Sequence, residues 1–230
     1  MIYENITPAV FIDRPNRFIA NVNIDGSVQT VHVKNTGRCK ELLINGAEVY
    51  LTEPGTKGRK TRYDLIAVRK ENGMLINIDS QAPNKVVAEW LKPQGFSKII
   101  PEYTYGNSRI DFYMERISGE KIEKYLMEVK GCTLERNGTG FFPDAPTDRG
   151  TKHLRELIRA VNEGYKAYAA FVIQMDNITK VSPNTDTDPD FAAAFEEAQR
   201  SGVKMLFLPC HVEADSLSII SDYVINQGSI

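Results

Sequence analysis

The chain has 230 residues, of which 42% are hydrophobic and 25% charged, with a formal net charge of −2. This suits a soluble globular protein of one large or two small domains, and the near balance of charge excludes wholesale electrostatic binding to polyanions. No apolar run approaches the roughly 18 residues of a membrane span, and Met1-Ile2-Tyr3-Glu4-Asn5 lacks a signal-peptide pattern, so the expected location is cytoplasmic with no membrane partner. Residues 1–80 carry 11 Lys and Arg against 9 Asp and Glu, a net of +2, which leaves −4 for the remainder. Cys39, Cys132 and Cys210 are odd in number, widely spaced and without a CxxC pair. They read as reduced thiols rather than a disulfide frame or zinc site.

Residues 8–80 read as all β. Candidate strands are 9–14, 17–24, 28–34, 47–53, 62–70 and 74–79, broken by Asp25-Gly26, Asn45-Gly46, Pro54-Gly55 and Asn72-Gly73. Five or six short strands in this space predict a small barrel of OB type over residues 1–81. The rhythm changes in residues 82–230. Asn84 is a candidate cap for a helix to about Leu91, and strand-like runs follow at 98–105, 109–115 and 122–131. A Gly/Pro-rich loop from Gly138 to Pro146 leads into an amphipathic helix over 149–163. Leu154, Leu157, Ile158 and Val161 mark its buried face and Gly164 its end. A strand over 167–175, a loop over 182–190, a helix over 190–200 and a strand over 203–208 complete the pattern. The order α-β-β-β-α-β, then α-β, predicts a mixed sheet flanked by helices, hence an α/β domain in a chain that is α+β overall.

The chemistry gathers where two of these strands should pair. Asp111 sits in Arg109-Ile-Asp-Phe112, and Glu128 and Lys130 sit in Leu126-Met-Glu-Val-Lys130. Residues two apart on a strand share a face, so Glu128 and Lys130 project together while Met127 and Val129 turn to the opposite layer. Paired carboxylates suit Mg²⁺ or Mn²⁺, and a nearby lysine can position a water or steady a developing anion. The plain alternative is a surface ion pair beside an edge carboxylate. Against it, both acids lie in apolar runs, and burying an unpaired charge costs several kcal/mol. Glu89, on the preceding helix, is a possible third ligand, or simply a solvated glutamate; Glu102 is equally ambiguous.

A second constellation runs from Phe142 to His153. Arg149, Lys152, His153 and Glu156 share one flank of the predicted helix. Basic groups in a first turn oppose the helix dipole, and phosphate near the helix N-terminus would justify them. A solvated charged edge is the competing explanation. Upstream, the Asn35-Thr36-Gly37-Arg38 turn and the cluster Lys57, Arg59, Lys60 and Arg62 are candidate phosphate contacts, although a basic hairpin tip is more often merely solvated. His32 and His211 have no ligand-spaced partners and read as structural.

Ser108-Arg-Ile-Asp-Phe112, Glu128-Val-Lys130 and the long segment Phe142-Pro-Asp-Ala-Pro-Thr-Asp-Arg-Gly-Thr-Lys-His-Leu-Arg-Glu-Leu157 closely resemble the sugar fermentation stimulation (SfsA) family. Asn35-Thr-Gly-Arg38 and the Asn84 to Glu89 helix match too; Lys34 departs from the proline that commonly precedes Asn-Thr-Gly there. The resemblance implies an N-terminal OB-like barrel and a PD-(D/E)XK nuclease-like domain. By position it makes Asp111 and Glu128 metal ligands, Lys130 the superfamily lysine and Glu89 the helix acid. Family members are described as non-specific DNA-binding proteins and as regulators of sugar (maltose) metabolism genes. The leading expectation is a Mg²⁺- or Mn²⁺-dependent phosphodiesterase acting on DNA or RNA. Asn35, Thr36, Arg38, Arg109, Asp144, Thr147, Arg149, Lys152 and His153 are the candidate nucleic-acid contacts. The rivals are a DNA-binding regulator whose nuclease-like site does not turn over, and a hydrolase of a small phosphorylated metabolite.

Overall fold

The computed structural model describes residues 1–35, 37–55, 58–220, 222 and 225. The chain opens with β1 (Ile6–Asn16), β2 (Ile19–Ile24), β3 (Ser27–Val33), β4 (Glu48–Thr52), β5 (Asp64–Arg69) and β6 (Leu75–Asn77). Asp25 and Gly26 both take positive φ, 48° and 86°, and close β2 onto β3 as a two-residue hairpin with Ile24 opposite Ser27. β1 pairs with β2 and β4, β2 with β3, and β4 with β5, all antiparallel. A parallel contact of β3 with β5 closes the ring, giving a five-stranded barrel of OB type. Ala20, Val22, Val31, Val33, Val49, Leu51 and Leu65 fill its interior. In β2 and β3 they alternate with more exposed neighbours, the period-two pattern that specifies half-buried strands, whereas β5 is buried from Asp64 to Val68.

The second part follows as α1 (Ala82–Leu91), β7 (Lys98–Tyr105), β8 (Ser108–Ser118), β9 (Lys121–Cys132), β10 (Leu134–Arg136), β11 (Thr139–Phe142), α2 (Asp148–Asn162), β12 (Lys166–Ile173), β13 (Val181–Pro183), α3 (Pro189–Arg200), β14 (Lys204–Val212) and β15 (Leu217–Ile219). The main sheet runs β15-β14-β12-β9-β8-β7. Its β9, β12 and β14 are parallel, whereas β8 is antiparallel to β9 and β7 to β8. Val86, Val87 and Leu91 of α1 pack with Met127, Val129 and Val172 on one face; Leu154 and Leu157 of α2 pack with Leu126, Phe171 and Ile173 on the other. Thus α1-β7-β8-β9-α2-β12 reproduces the predicted α-β-β-β-α-β core, with Met127 and Val129 in the layer opposite Glu128 as expected.

Three local readings are corrected. Asn84 does not cap α1: the cap position is Gln81, without a side-chain bond, and Pro83 presets the first turn. The loop assigned to Gly138–Pro146 contains β11, and residues 182–190 include most of β13 and the start of α3. The two short strands pair in parallel, Gly140 opposite Val181, with β10 on the far edge of β11. The three cysteines are free and buried, and burial is the leading cause that pushes each thiol up to about 12.

The barrel and the sheet share a polar seam. Gln174 Nε2 donates to Asn77 Oδ1 (3.0 Å) and to the Asp79 carbonyl (3.1 Å), and Asn77 Nδ2 donates to the Tyr3 hydroxyl (3.0 Å). Lys34, at the position where the family resemblance expects proline, closes a 2.7 Å ion pair with fully buried Asp79. Among the described residues no helix is long and apolar enough to cross a membrane.

Candidate metal and nucleic-acid site

Strand pairing brings the predicted trio together. Phe112 lies opposite Met127, so Asp111 arrives at the level of Glu128 and Val129. Asp111 Oδ2 accepts from the Val129 amide at 2.7 Å, and its Oδ1 accepts from Asn84 Nδ2 at 2.8 Å. Asn84, read from sequence as a helix cap, is instead the side chain by which α1 orients this carboxylate. Burial, then the neighbouring Glu128 charge, push Asp111 above its ordinary pKa, against the opposing bonds from Val129 and Asn84.

Glu128 is only 3% exposed. Its Oε1 accepts from Lys130 Nζ at 2.7 Å and from His153 Nδ1. Arg149 Nε donates to His153 Nε2 at 3.4 Å, which assigns the ring proton to Nδ1 and points it at Glu128. Burial alone raises Glu128, but the His153 bond and the Lys130 charge outweigh it and hold the carboxyl below its ordinary value. The second oxygen, Oε2, is buried and has no partner among the described residues. An orphaned carboxylate oxygen beside a second carboxylate is what a divalent cation would satisfy. Among the described residues no group of three or more His, Cys, Asp or Glu is arranged to hold a metal. Mg²⁺ and Mn²⁺ are served by one or two carboxylates plus waters, so the pair Asp111 and Glu128 fits.

The other candidates divide. Glu89 is half-exposed and pairs with the Met1 ammonium at 2.9 Å. It lies five residues beyond Asn84, about 140° further round the helix, so it is not brought to Asp111. Arg109 and Glu102 form an exposed ion pair with each other at 2.9 Å. Arg149 and Lys152 are exposed on the first turns of α2, Lys152 lying 3.8 Å from Glu156. Thr147 is the α2 cap, its hydroxyl accepting from Gly150 N at 3.0 Å. Arg59 and Arg62 are engaged with Asp64 and Glu53. Thr36 and Lys57 lie outside the described residues.

Asn35, Gly37 and Asp144 meet at the domain junction. A Cβ on Gly37 would fall 2.5 Å from Asp144 Oδ2, so a larger residue there would have to displace the Asp144 carboxylate. The loop is held by Arg14, which the sequence reading missed. Its guanidinium donates to the carbonyls of Asn35 (2.6 Å), Gly37 (2.9 Å), Arg38 (2.8 Å) and Arg17 (2.8 Å). A lone arginine in a strand carries no sequence signal of that kind. Asp188 was missed as well. It accepts from Thr147 N (2.7 Å) and from Phe191 N (2.9 Å), tying the start of α2 to α3. Its place directly before Pro189 is an N-cap signal that was legible.

A five-stranded OB barrel joined to a helix-flanked mixed sheet that carries a carboxylate pair and a lysine defines a barrel-plus-α/β architecture. Two family models cover most of the chain: the "SfsA N-terminal OB domain" over residues 12–78 and the "Sugar fermentation stimulation protein RE domain" over 81–216. The chain belongs to the sugar fermentation stimulation protein family. It is 53% identical over 220 residues to the homolog of Desulfitobacterium hafniense strain Y51, covering 94% of each chain. The Clostridium beijerinckii homolog is 50% identical over 228 residues, covering 97% of this chain and 98% of that protein. A solved structure of Pyrococcus furiosus SfsA in complex with Ca²⁺ is 28% identical, covers 99% of this chain and 98% of its own, and superposes with a TM-score of 0.84.

Proposed function

We propose that this protein is a divalent-metal-dependent phosphodiesterase that cuts nucleic acid, DNA above RNA, with little sequence preference. The observation that carries the reading is Glu128, a buried carboxylate with one oxygen tied to Lys130 and His153 and the other left bare beside Asp111. Asp111 and Glu128 would hold Mg²⁺ or Mn²⁺, which when bound supplies a Lewis acid for the phosphoryl oxygen and a lowered water pKa. The Ca²⁺ complex of the Pyrococcus furiosus relative supports a divalent site in the family. Lys130 sits on the same face as Glu128, and its ammonium would serve a developing phosphorane charge or the attacking water. His153 fixes Glu128 through Oε1, and Asn84 fixes Asp111, so both acids are oriented before substrate arrives. Arg149 and Lys152, exposed on the first turns of α2, would grip backbone phosphates. The barrel supplies a second surface for a neighbouring stretch of strand.

The test is cleavage of single- and double-stranded DNA and RNA with Mg²⁺ or Mn²⁺. Glu128→Ala and Lys130→Ala should each lower the rate by about 10²-fold or more. Activity of the wild type in excess EDTA would sink the metal mechanism. Binding without cleavage under any divalent ion would make the chain a DNA-binding regulator instead.

A further inference from the structure

One residue beyond Lys130, at the carboxyl ends of β9 and β12, a cavity of about 340 Å³ opens between the barrel loop and the segment leading into α2. In open α/β sheets that end of the strands is where ligands collect. Its polar lining comes from both domains: Asn35 and Ser80 from the barrel side, Thr133, Asp144 and Gln174 from the sheet. What these groups have left to offer leans toward acceptors, beside a second Asn35 amide hydrogen and the Thr133 and Thr147 hydroxyls. Asn35 already donates to the Ile78 carbonyl and accepts from Gly37, and the Ser80 hydroxyl donates to the Lys34 carbonyl. Gln174 spends its amide hydrogens on Asn77 and Asp79, keeping Oε1 turned toward Gly131, where a Cβ would lie 2.4 Å away. Asp144 has no ion pair or hydrogen bond among the described residues, and no lysine or arginine lines the space.

An acceptor-rich, cation-free cavity repels phosphate and selects hydrogen-bond donors. Its volume falls in the range of small-molecule sites and far exceeds what one bare ion fills. The donors that accompany a phosphodiester are the N–H groups of its bases, and a carboxylate reads the paired ring and amino N–H groups of guanine on their Watson–Crick edge.

We propose that this cavity is a nucleobase pocket, in which Asp144 receives an amino-bearing base, guanine foremost, unstacked beside the phosphate at Lys130. The proposal rests on the phosphodiesterase reading for its orientation and narrows its loose sequence preference to one favoured base beside the phosphate; the pocket can be tested apart from cleavage. The experiment is equilibrium titration of the full chain in EDTA with three probes: 2′-deoxyguanosine 5′-monophosphate, thymidine 5′-monophosphate and deoxyribose 5-phosphate. The guanine nucleotide should bind at least tenfold more tightly than the base-free sugar phosphate and more tightly than the thymine nucleotide. Asp144→Ala should erase that order, and Asp144→Asn, which keeps the shape, should weaken it. Equal binding of all three probes, or an order that survives both substitutions, overturns the pocket. Metal-dependent cleavage of oligonucleotides is measured on the same preparations. Cleavage without base discrimination removes the pocket and spares the nuclease reading; base discrimination without cleavage removes the nuclease reading and upholds the pocket.

Discussion

Glu128 keeps one oxygen against Lys130 and His153 and the other without a partner among the described residues, inside a sheet covered on both faces. Its pairing with Lys130 was legible from the i, i+2 rule alone. The contribution of His153 needed the tertiary fold, since it comes from a helix 25 residues on. Removing the imidazole in His153→Ala would leave Oε1 with one partner and open a hole under α2. A loss of about 1–3 kcal/mol in urea unfolding is expected, as for an unsatisfied buried polar group. An unchanged midpoint would mean that the contact contributes nothing. Asn84 and Glu89 show the limit of residue-level reading. The helix was visible, but its rotation over the sheet is set by Val86, Val87 and Leu91, and that rotation turns Asn84 to Asp111 and Glu89 away.

At the scale of elements, α2 carries basic groups where its dipole would favour acids. Its N-terminus is nonetheless secured twice, by the Thr147 hydroxyl on Gly150 N and by Asp188 on Thr147 N. Thr147→Ala should cost about 1 kcal/mol, an ordinary cap loss. Asp188→Ala should cost more, because it uncaps α3 at Phe191 and releases α2 together. Thermal unfolding of the two variants decides the order, and equal losses would refute the link between the helices. The long strands and helices followed from periodicity because each buries one regular face. The strands β10, β11, β13 and β15, of three or four residues each, did not. No period is measurable over such lengths, and pairing with distant partners, not local pattern, holds them.

The whole molecule is joined through polar contacts, not through apolar packing alone. Asp79 is fully buried, pairs with Lys34, and accepts from Tyr3 and from the Gln81 amide. Breaking such a pair leaves a largely buried ammonium without its counter-ion. Asp79→Ala should therefore lower stability by roughly 3–5 kcal/mol. Far-UV circular dichroism and the fluorescence of Trp90, the only tryptophan, should report one coincident transition in the wild type. Separate midpoints would show that barrel and sheet melt independently. None of this seam was visible in the sequence, because its members Tyr3, Lys34, Asn77, Asp79 and Gln174 are scattered over most of the chain and follow no spacing.

The cavity beside Lys130 borrows Asn35 and Gly37 from the barrel and Asp144 and Gln174 from the sheet, so neither half owns it. A gene severed between codons 81 and 82 would yield two polypeptides, each lacking part of the wall. They would rebuild it only by finding one another. Fused to two other proteins, the halves would form a split reporter, read through the nucleotide binding proposed for the cavity.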